Sequence, residues 1–142
     1  MKVKDLMTKS IASLNPEDTI EQAAHLMKQY DIGSIPVCSG EKVIGIITDR
    51  DITLRSVAEG ENVKKQTVRE IMTSNPVTCS PDTDIHDATR IMSERQIRRI
   101  PIVDQDKLIG MLSLGDVAVN SGLGRDAENA LSDISEPCVP TM

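Results

Sequence analysis

Gly45-Ile46-Ile47-Thr48-Asp49-Arg50-Asp51 returns, 65 residues later, as Gly110-Met111-Leu112-Ser113-Leu114-Gly115-Asp116. In both stretches a glycine opens an apolar run, a small hydroxyl residue closes it, and an aspartate follows three residues on. Working outward from this pair, Val3–Ile52 overlays Val68–Val117 without a gap, and 14 of the 50 positions are identical. Met7/Met72, Pro16/Pro81, Ala23/Ala88, Ile35/Ile100 and Pro36/Pro101 are among them. Apolar character persists where identity fails, as in Leu6/Ile71 and Ile47/Leu112. One supersecondary unit therefore occurs twice. A unit of about 50 residues buries too little apolar surface to be stable alone, whereas two copies packed face to face bury enough.

Each copy reads alike. Asn15-Pro16 and Ser80-Pro81 are turn signals. Thr19 is a helix N-cap, with Gln22 completing a capping box, and Asp84 is its counterpart. Ile20, Ala23, Ala24 and Met27 then form one apolar stripe, as do Ile85, Ala88 and Met92. Gly33 is expected to end the first helical region. Next come two β runs, Ser34–Cys38 and Val43–Ile47, joined by a turn at Ser39-Gly40. The second copy gives Ile100–Val103 and Leu108–Leu112 around Asp104-Gln105-Asp106. Proline within the first β run suits an edge or a strand entry. A second helix follows Thr48 and Ser113, with Ile52, Leu54 and Val57 on its apolar side. Opening strands are expected near Ile11–Leu14 and Pro76–Cys79.

The predicted fold class is α+β: two β-α-β-β-α units packed with pseudo-two-fold symmetry. The expected divisions are a first unit at 1–57, a connector at 58–67, a second unit at 68–120 and a C-terminal segment at 121–142. In that last segment Arg125–Ile134 reads as a helix with Ala127, Ala130, Leu131 and Ile134 on one face. Glu136–Met142, with two prolines, reads as disordered.

Composition narrows the function classes. Apolar residues make up 39% and charged residues 27% of 142, a soluble globular balance. Lys and Arg number 16 against 22 Asp and Glu, so a net charge of −6 argues against a nucleic-acid binder that works by neutralising phosphates. Tyr30 is the one aromatic residue, which removes base-stacking platforms. No apolar run is long enough to span a membrane and Met1–Asp5 does not read as a signal peptide, so a cytoplasmic location is expected. Cys38, Cys79 and Cys138 lie far apart and are odd in number, so small apolar roles are expected rather than disulfides or a structural zinc site. His25 and His86 fall on the polar sides of their helices. No nucleophile–base pair or metal-ligand set is present, so no catalytic residue, metal or resident cofactor is expected.

Thr48 with Asp51, and Ser113 with Asp116, place a hydroxyl and a carboxylate where a strand feeds a helix N-terminus. Free backbone N–H groups there favour an anion, and the carboxylate can accept from adjacent hydroxyls such as those of a ribose. The same spacing also describes a plain N-cap.

These residues carry a family resemblance. With Asp5-Leu6-Met7-Thr8 and Glu70-Ile71-Met72-Thr73 at the unit starts, Ile35-Pro36-Val37 and Ile100-Pro101-Ile102 at the first β runs, and Gly45–Asp51 and Gly110–Asp116, the chain resembles a tandem pair of cystathionine-β-synthase (CBS) domains, a Bateman module. The resemblance covers all but the last 25 residues or so. It implies a regulatory module that binds an adenosine compound (AMP, ADP, ATP or S-adenosylmethionine) in the cleft between the two units. It further implies that Asp51 and Asp116 hold ribose hydroxyls and that Thr48 and Ser113 contact ribose or phosphate. Arg98 and Arg99, before Ile100-Pro101, stand where some members grip phosphates, and the resemblance pairs them with Thr48 and Asp51. The other cleft would join Ser113 and Asp116 to Gly33 and Ser34, which supply no cation. With no aromatic wall available, Ile11, Ala12, Ile35 and Pro36 are candidates to flank the base. A homodimer and a separate effector protein are expected partners, with no role for nucleic acid or membrane. The alternative is a structural or interaction module with empty clefts, acting through its dimer surface.

Overall fold

A computed structural model describes residues 1–120 and 122–136. The chain forms two compact units. The first comprises Ser10–Val77 with Gln105–Leu108; the second comprises Met1–Lys9, Thr78–Asp104 and the described residues from Ile109 onward. Each is a small α+β body, as expected. These units are not simply the two sequence repeats, because each takes in the opening segment of the other repeat.

In the first unit, helix α1 (Ile20–Tyr30) begins at Thr19. Thr19 Oγ1 accepts from Gln22 N at 3.2 Å and Gln22 Oε1 accepts from Thr19 N at 2.8 Å, which is the expected capping box. The connector satisfies two more of the orphan donors of the first turn: Ile20 N donates to Gln66 O and Glu21 N to Val63 O, both at 3.0 Å. Ile20, Ala23 and Met27 are buried. Ala24, expected on that stripe, is exposed, and Leu26 packs against the core instead. The helix does not end at Gly33. Asp31 takes the left-handed turn with φ 53°, and Gln96 does so at the same repeat position with φ 52°. The short polar side chain of Asp31 tolerates this conformation, so glycine is not needed there.

Strands β1 (Ser34–Ser39) and β2 (Lys42–Thr48) form an antiparallel hairpin with a bulge at Val37/Cys38, and Gly40 turns it at φ 64°. Strand β3 (Thr73–Ser74) pairs with the other edge of β2, opposite Gly45 and Ile46. The expected opening strand shrinks to one residue: Leu14 makes a parallel bridge to Val37, donating to Pro36 O at 3.0 Å and accepting from Cys38 N at 2.8 Å. The turn at Asn15-Pro16 stops it from extending. Pro76–Cys79 shrinks likewise, to a bridge between Cys79 and Ile102.

After β2 come helix α2 (Asp49–Ile52) and a π-helical turn, Thr53–Val57. The wider turn rotates the chain, so Ser56 is buried while Leu54 (46% exposed) and Val57 (62%) point to solvent. Of the apolar side expected for this helix, only Ile52 packs on the core. That core, Leu14, Ile20, Met27, Ile35, Val37 and Ile47, is completed by Val68 and Ile71 of helix α3 (Val68–Ile71), the opening of the second repeat.

The second unit repeats the plan. Helix α4 (Ile85–Arg95) is capped by Asp84, whose Oδ1 accepts from His86 N at 2.8 Å. Strands β4 (Arg99–Asp104) and β5 (Lys107–Ser113) form the hairpin, and helix α5 (Leu114–Ala118) follows. Thr8 bridges Met111, as β3 does on β2, and Val3 enters a core of Ile85, Met92, Ile100, Ile102, Leu112 and Val117. The opening methionines explain the repeated glycine: a Cβ on Gly110 would lie 2.7 Å from Met7 Sδ, and one on Gly45 would lie 2.9 Å from Met72 Cγ.

Helix α6 (Gly124–Ile134) adds a further layer to this unit, burying Ala127 and Ala130. Leu131, expected on that buried face, is 49% exposed. Cys38 and Cys79 are free and buried, and burial pushes both thiols up from their usual range. Cys138 and the tail from 137 to 142, expected to be disordered, lie outside the described residues. Among the described residues no helix is long and apolar enough to cross a membrane.

Candidate functional site

Both hydroxyl–carboxylate pairs sit at a strand-to-helix junction, and both are reciprocal caps. Strand β2 ends with Thr48 extended (φ −116°, ψ 162°), and Thr48 Oγ1 accepts from Asp51 N at 3.1 Å. Asp51 reaches back, its Oδ2 accepting from Thr48 N at 2.9 Å. Ser113 and Asp116 repeat this with the same distances, 3.1 and 2.9 Å. The plain N-cap reading is therefore realised. It still leaves the second oxygen of each carboxylate outside the cap. Among the described residues Asp116 Oδ1 accepts no hydrogen bond, and Asp51 Oδ1 has Arg55 Nε at 3.9 Å, beyond hydrogen-bond reach.

Arg55 is a residue that the sequence reading passed over. Its Nη1 donates to Ile71 O at 3.0 Å, tying the π-helical turn to α3 beside Asp51. The signal was legible as Asp and Arg four residues apart on a helical turn. The corresponding position in the second copy is Asn120, so the two carboxylates have different electrostatic surroundings.

The residues before the first hairpin strand contact the hydroxyl motif of their own unit. Leu114 N donates to Arg98 O at 2.8 Å, and Asp49 N donates to Gly33 O at 2.9 Å. Gly33 keeps this approach open: a Cβ there would lie 2.9 Å from Asp49 Oδ2. In the second unit Arg98 and Arg99 are exposed and line a groove of about 540 Å³ together with Ser113, Leu114 and Gly115. The positive charge of these arginines suits an anion. Gly33 and Ser34 bring no charge to the equivalent place.

Of the residues expected around a base, Ile35 is fully buried in the core of its unit and Pro36 is buried beside it, while Ile11 and Ala12 are half-buried. His25 and His86 are exposed, and His86 Nδ1 pairs with Asp126 Oδ2 at 2.9 Å. No group of three or more His, Cys, Asp or Glu side chains is placed to hold a metal among the described residues.

The family model for the CBS domain matches residues 3–57 and 68–120, which hold both of these motifs. The chain belongs to the CBS-domain family. It is 44% identical over 133 residues to the CBS domain-containing protein YhcV of Bacillus subtilis, covering 94% of each chain. The CBS domain pair of protein MJ0100, solved in complex with 5′-methylthioadenosine and S-adenosyl-L-methionine, is 28% identical to it, with a TM-score of 0.75 over 83% of this chain and 93% of that one. The CBS domain protein PAE2072 of Pyrobaculum aerophilum, complexed with AMP, has the same fold: its TM-score is 0.81 over 90% of this chain and 98% of that one, at 22% identity. CBS motifs thus account for the hydroxyl–carboxylate pairs, while α6 and the tail lie outside both family matches.

Proposed function

We propose that this CBS pair is a regulatory module that senses an adenosine compound, AMP, ADP, ATP or S-adenosylmethionine, and reports it to a separate effector protein. The observation that carries this reading is the twinned cap: Asp51 and Asp116 each spend one oxygen on a backbone N–H and keep the other for a ligand. A ribose diol donates to that oxygen. Thr48 and Ser113 stand beside it for ribose or phosphate, and Arg98 and Arg99 supply charge for phosphate. The MJ0100 pair, with its two adenosine ligands, supports the ligand class. Ile11, Ala12, Ile35 and Pro36 remain the proposed aliphatic flank for a base, with half-buried Ile11 and Ala12 the more accessible.

A homodimer belongs to the same proposal. The chain exposes Leu54 and Val119, which occupy equivalent repeat positions, at 46% and 86%. Sedimentation velocity should find a dimer in the wild type and a monomer in the Leu54→Glu/Val119→Glu variant; a wild-type monomer removes this part of the proposal.

The sensing role is tested by thermal melting with each of the four compounds, followed by circular dichroism because the chain has no Trp. A ligand at 100 times its Kd should raise stability by about 2.7 kcal/mol. Asp51→Ala and Asp116→Ala should each reduce the shift. No shift with any of the four compounds refutes the sensing role, and unchanged shifts in both variants refute the site.

A further inference from the structure

One wall of the groove that carries Arg98 and Arg99 is built by residues outside the two CBS repeats. Gly124, Ala127, Glu128 and Leu131 line it. They lie three, four and seven residues apart and so form one face of α6. The groove remains open because its neighbours are small. A Cβ at Gly124 would meet nothing within 4 Å, and one at Gly115 would meet only Ser113 Oγ at 3.6 Å. Its size, about 540 Å³, is in the range of small-molecule sites.

The lining sorts by chemistry. Arg98 and Arg99 bring positive charge to the groove, and a guanidinium pairs with phosphate through two parallel hydrogen bonds. Leu114, Ala118, Ala127 and Leu131 offer an aliphatic surface for an apolar ring, in a groove whose lining includes no aromatic side chain. Glu128 offers an acceptor for an amine, and it repels added negative charge. A singly phosphorylated nucleoside matches this set; a triphosphate carries more charge than two arginines beside a glutamate favour.

We propose that α6 is the selectivity wall of this groove, holding the body of a nucleoside monophosphate whose phosphate lies on Arg98 and Arg99. The proposal rests on the adenosine-sensing reading and adds to it a site element that the CBS repeats do not contain. It also makes α6 responsive to the ligand. The helix is held to the unit by buried Ala127 and Ala130, by Leu123 before it and Ile134 at its end packed on the same core, by the His86–Asp126 pair at 2.9 Å, and by Gln96 Nε2 donating to Asp133 O at 3.1 Å. A ligand lying against the helix adds to these contacts and slows its opening.

The test titrates AMP, ATP and S-adenosylmethionine calorimetrically into the full chain and into three variants. Leu131→Glu and Ala118→Phe alter exposed positions and leave the core intact. Both should weaken AMP roughly ten-fold or more. Glu128→Gln should narrow the preference for AMP over ATP. Amide hydrogen exchange over 124–134 should slow when AMP is added. If AMP binds the wild type and all three variants equally and exchange in α6 is unchanged, the α6 wall is refuted and the sensing role stands. Binding of S-adenosylmethionine without AMP refutes the phosphate assignment alone. If none of the three compounds binds the wild type, both proposals fall.

Discussion

At Thr48 the hydroxyl and the carboxylate three residues on serve the fold before they serve any ligand. Thr48→Ala removes the acceptor for Asp51 N and should cost about 1 kcal/mol in urea unfolding. Asp51→Asn keeps an amide oxygen that can accept from Thr48 N, so its stability should stay near wild type while its affinity for ligand falls. An Asp51→Asn variant as unstable as Thr48→Ala would mean that the charge, rather than the acceptor, maintains the cap. Much of this site was legible from residues alone, since a hydroxyl with an acid three positions later states a capping box in sequence. Arg55 was harder to see. Its spacing from Asp51 is the ordinary one of a helical turn, but the Ile71 carbonyl lies sixteen residues away, and that contact leaves no local mark.

Among the elements, helices and hairpins follow their sequence signals closely because their determinants are local: an N-cap, an apolar stripe, a turn dipeptide. The departures have equally physical causes. Asp31 takes the left-handed turn that Gly33 was expected to supply, and Gln96 takes one at the same repeat position. The π-helical turn redirects Leu54 and Val57 outward, and no periodicity rule anticipates an inserted residue. The opening segment is held by charge as well as by Val3. Lys2 Nζ and Lys4 Nζ lie 3.4 and 3.3 Å from Asp82 Oδ1, and hydrogen bonds from Lys4 and then Lys2 hold that carboxyl below its usual range. A depressed carboxyl stabilises the fold above its unfolded value and ceases to do so as pH falls through the folded one. Asp82→Asn should therefore be less stable than wild type at pH 7, with the gap closing below about pH 4. A gap that does not narrow at all between pH 7 and pH 3 would show that the ion pairs are not its source.

For the whole molecule, the sequence repeat and the compact unit are two different divisions of the same chain. Val3 closes the core built on the second repeat, and Val68 with Ile71 closes the core built on the first. Pairings across so many residues leave no local mark, which is why the repeat was plain in sequence and this exchange was not. The groove wall formed by α6 was hidden for the same reason: the amphipathic stripe Ala127, Ala130, Leu131 and Ile134 reads as core, yet Leu131 lines the groove instead. The central claim, that the two capped carboxylates hold an adenosine compound, is tested most directly by calorimetric titration of AMP, ADP, ATP and S-adenosylmethionine into the wild type and into the Asp51→Asn/Asp116→Asn double variant. Saturable binding of at least one compound by the wild type, lost or greatly weakened in a double variant that remains folded, is the predicted result. The same affinity in both proteins, or no binding to the wild type by any of the four, would contradict it.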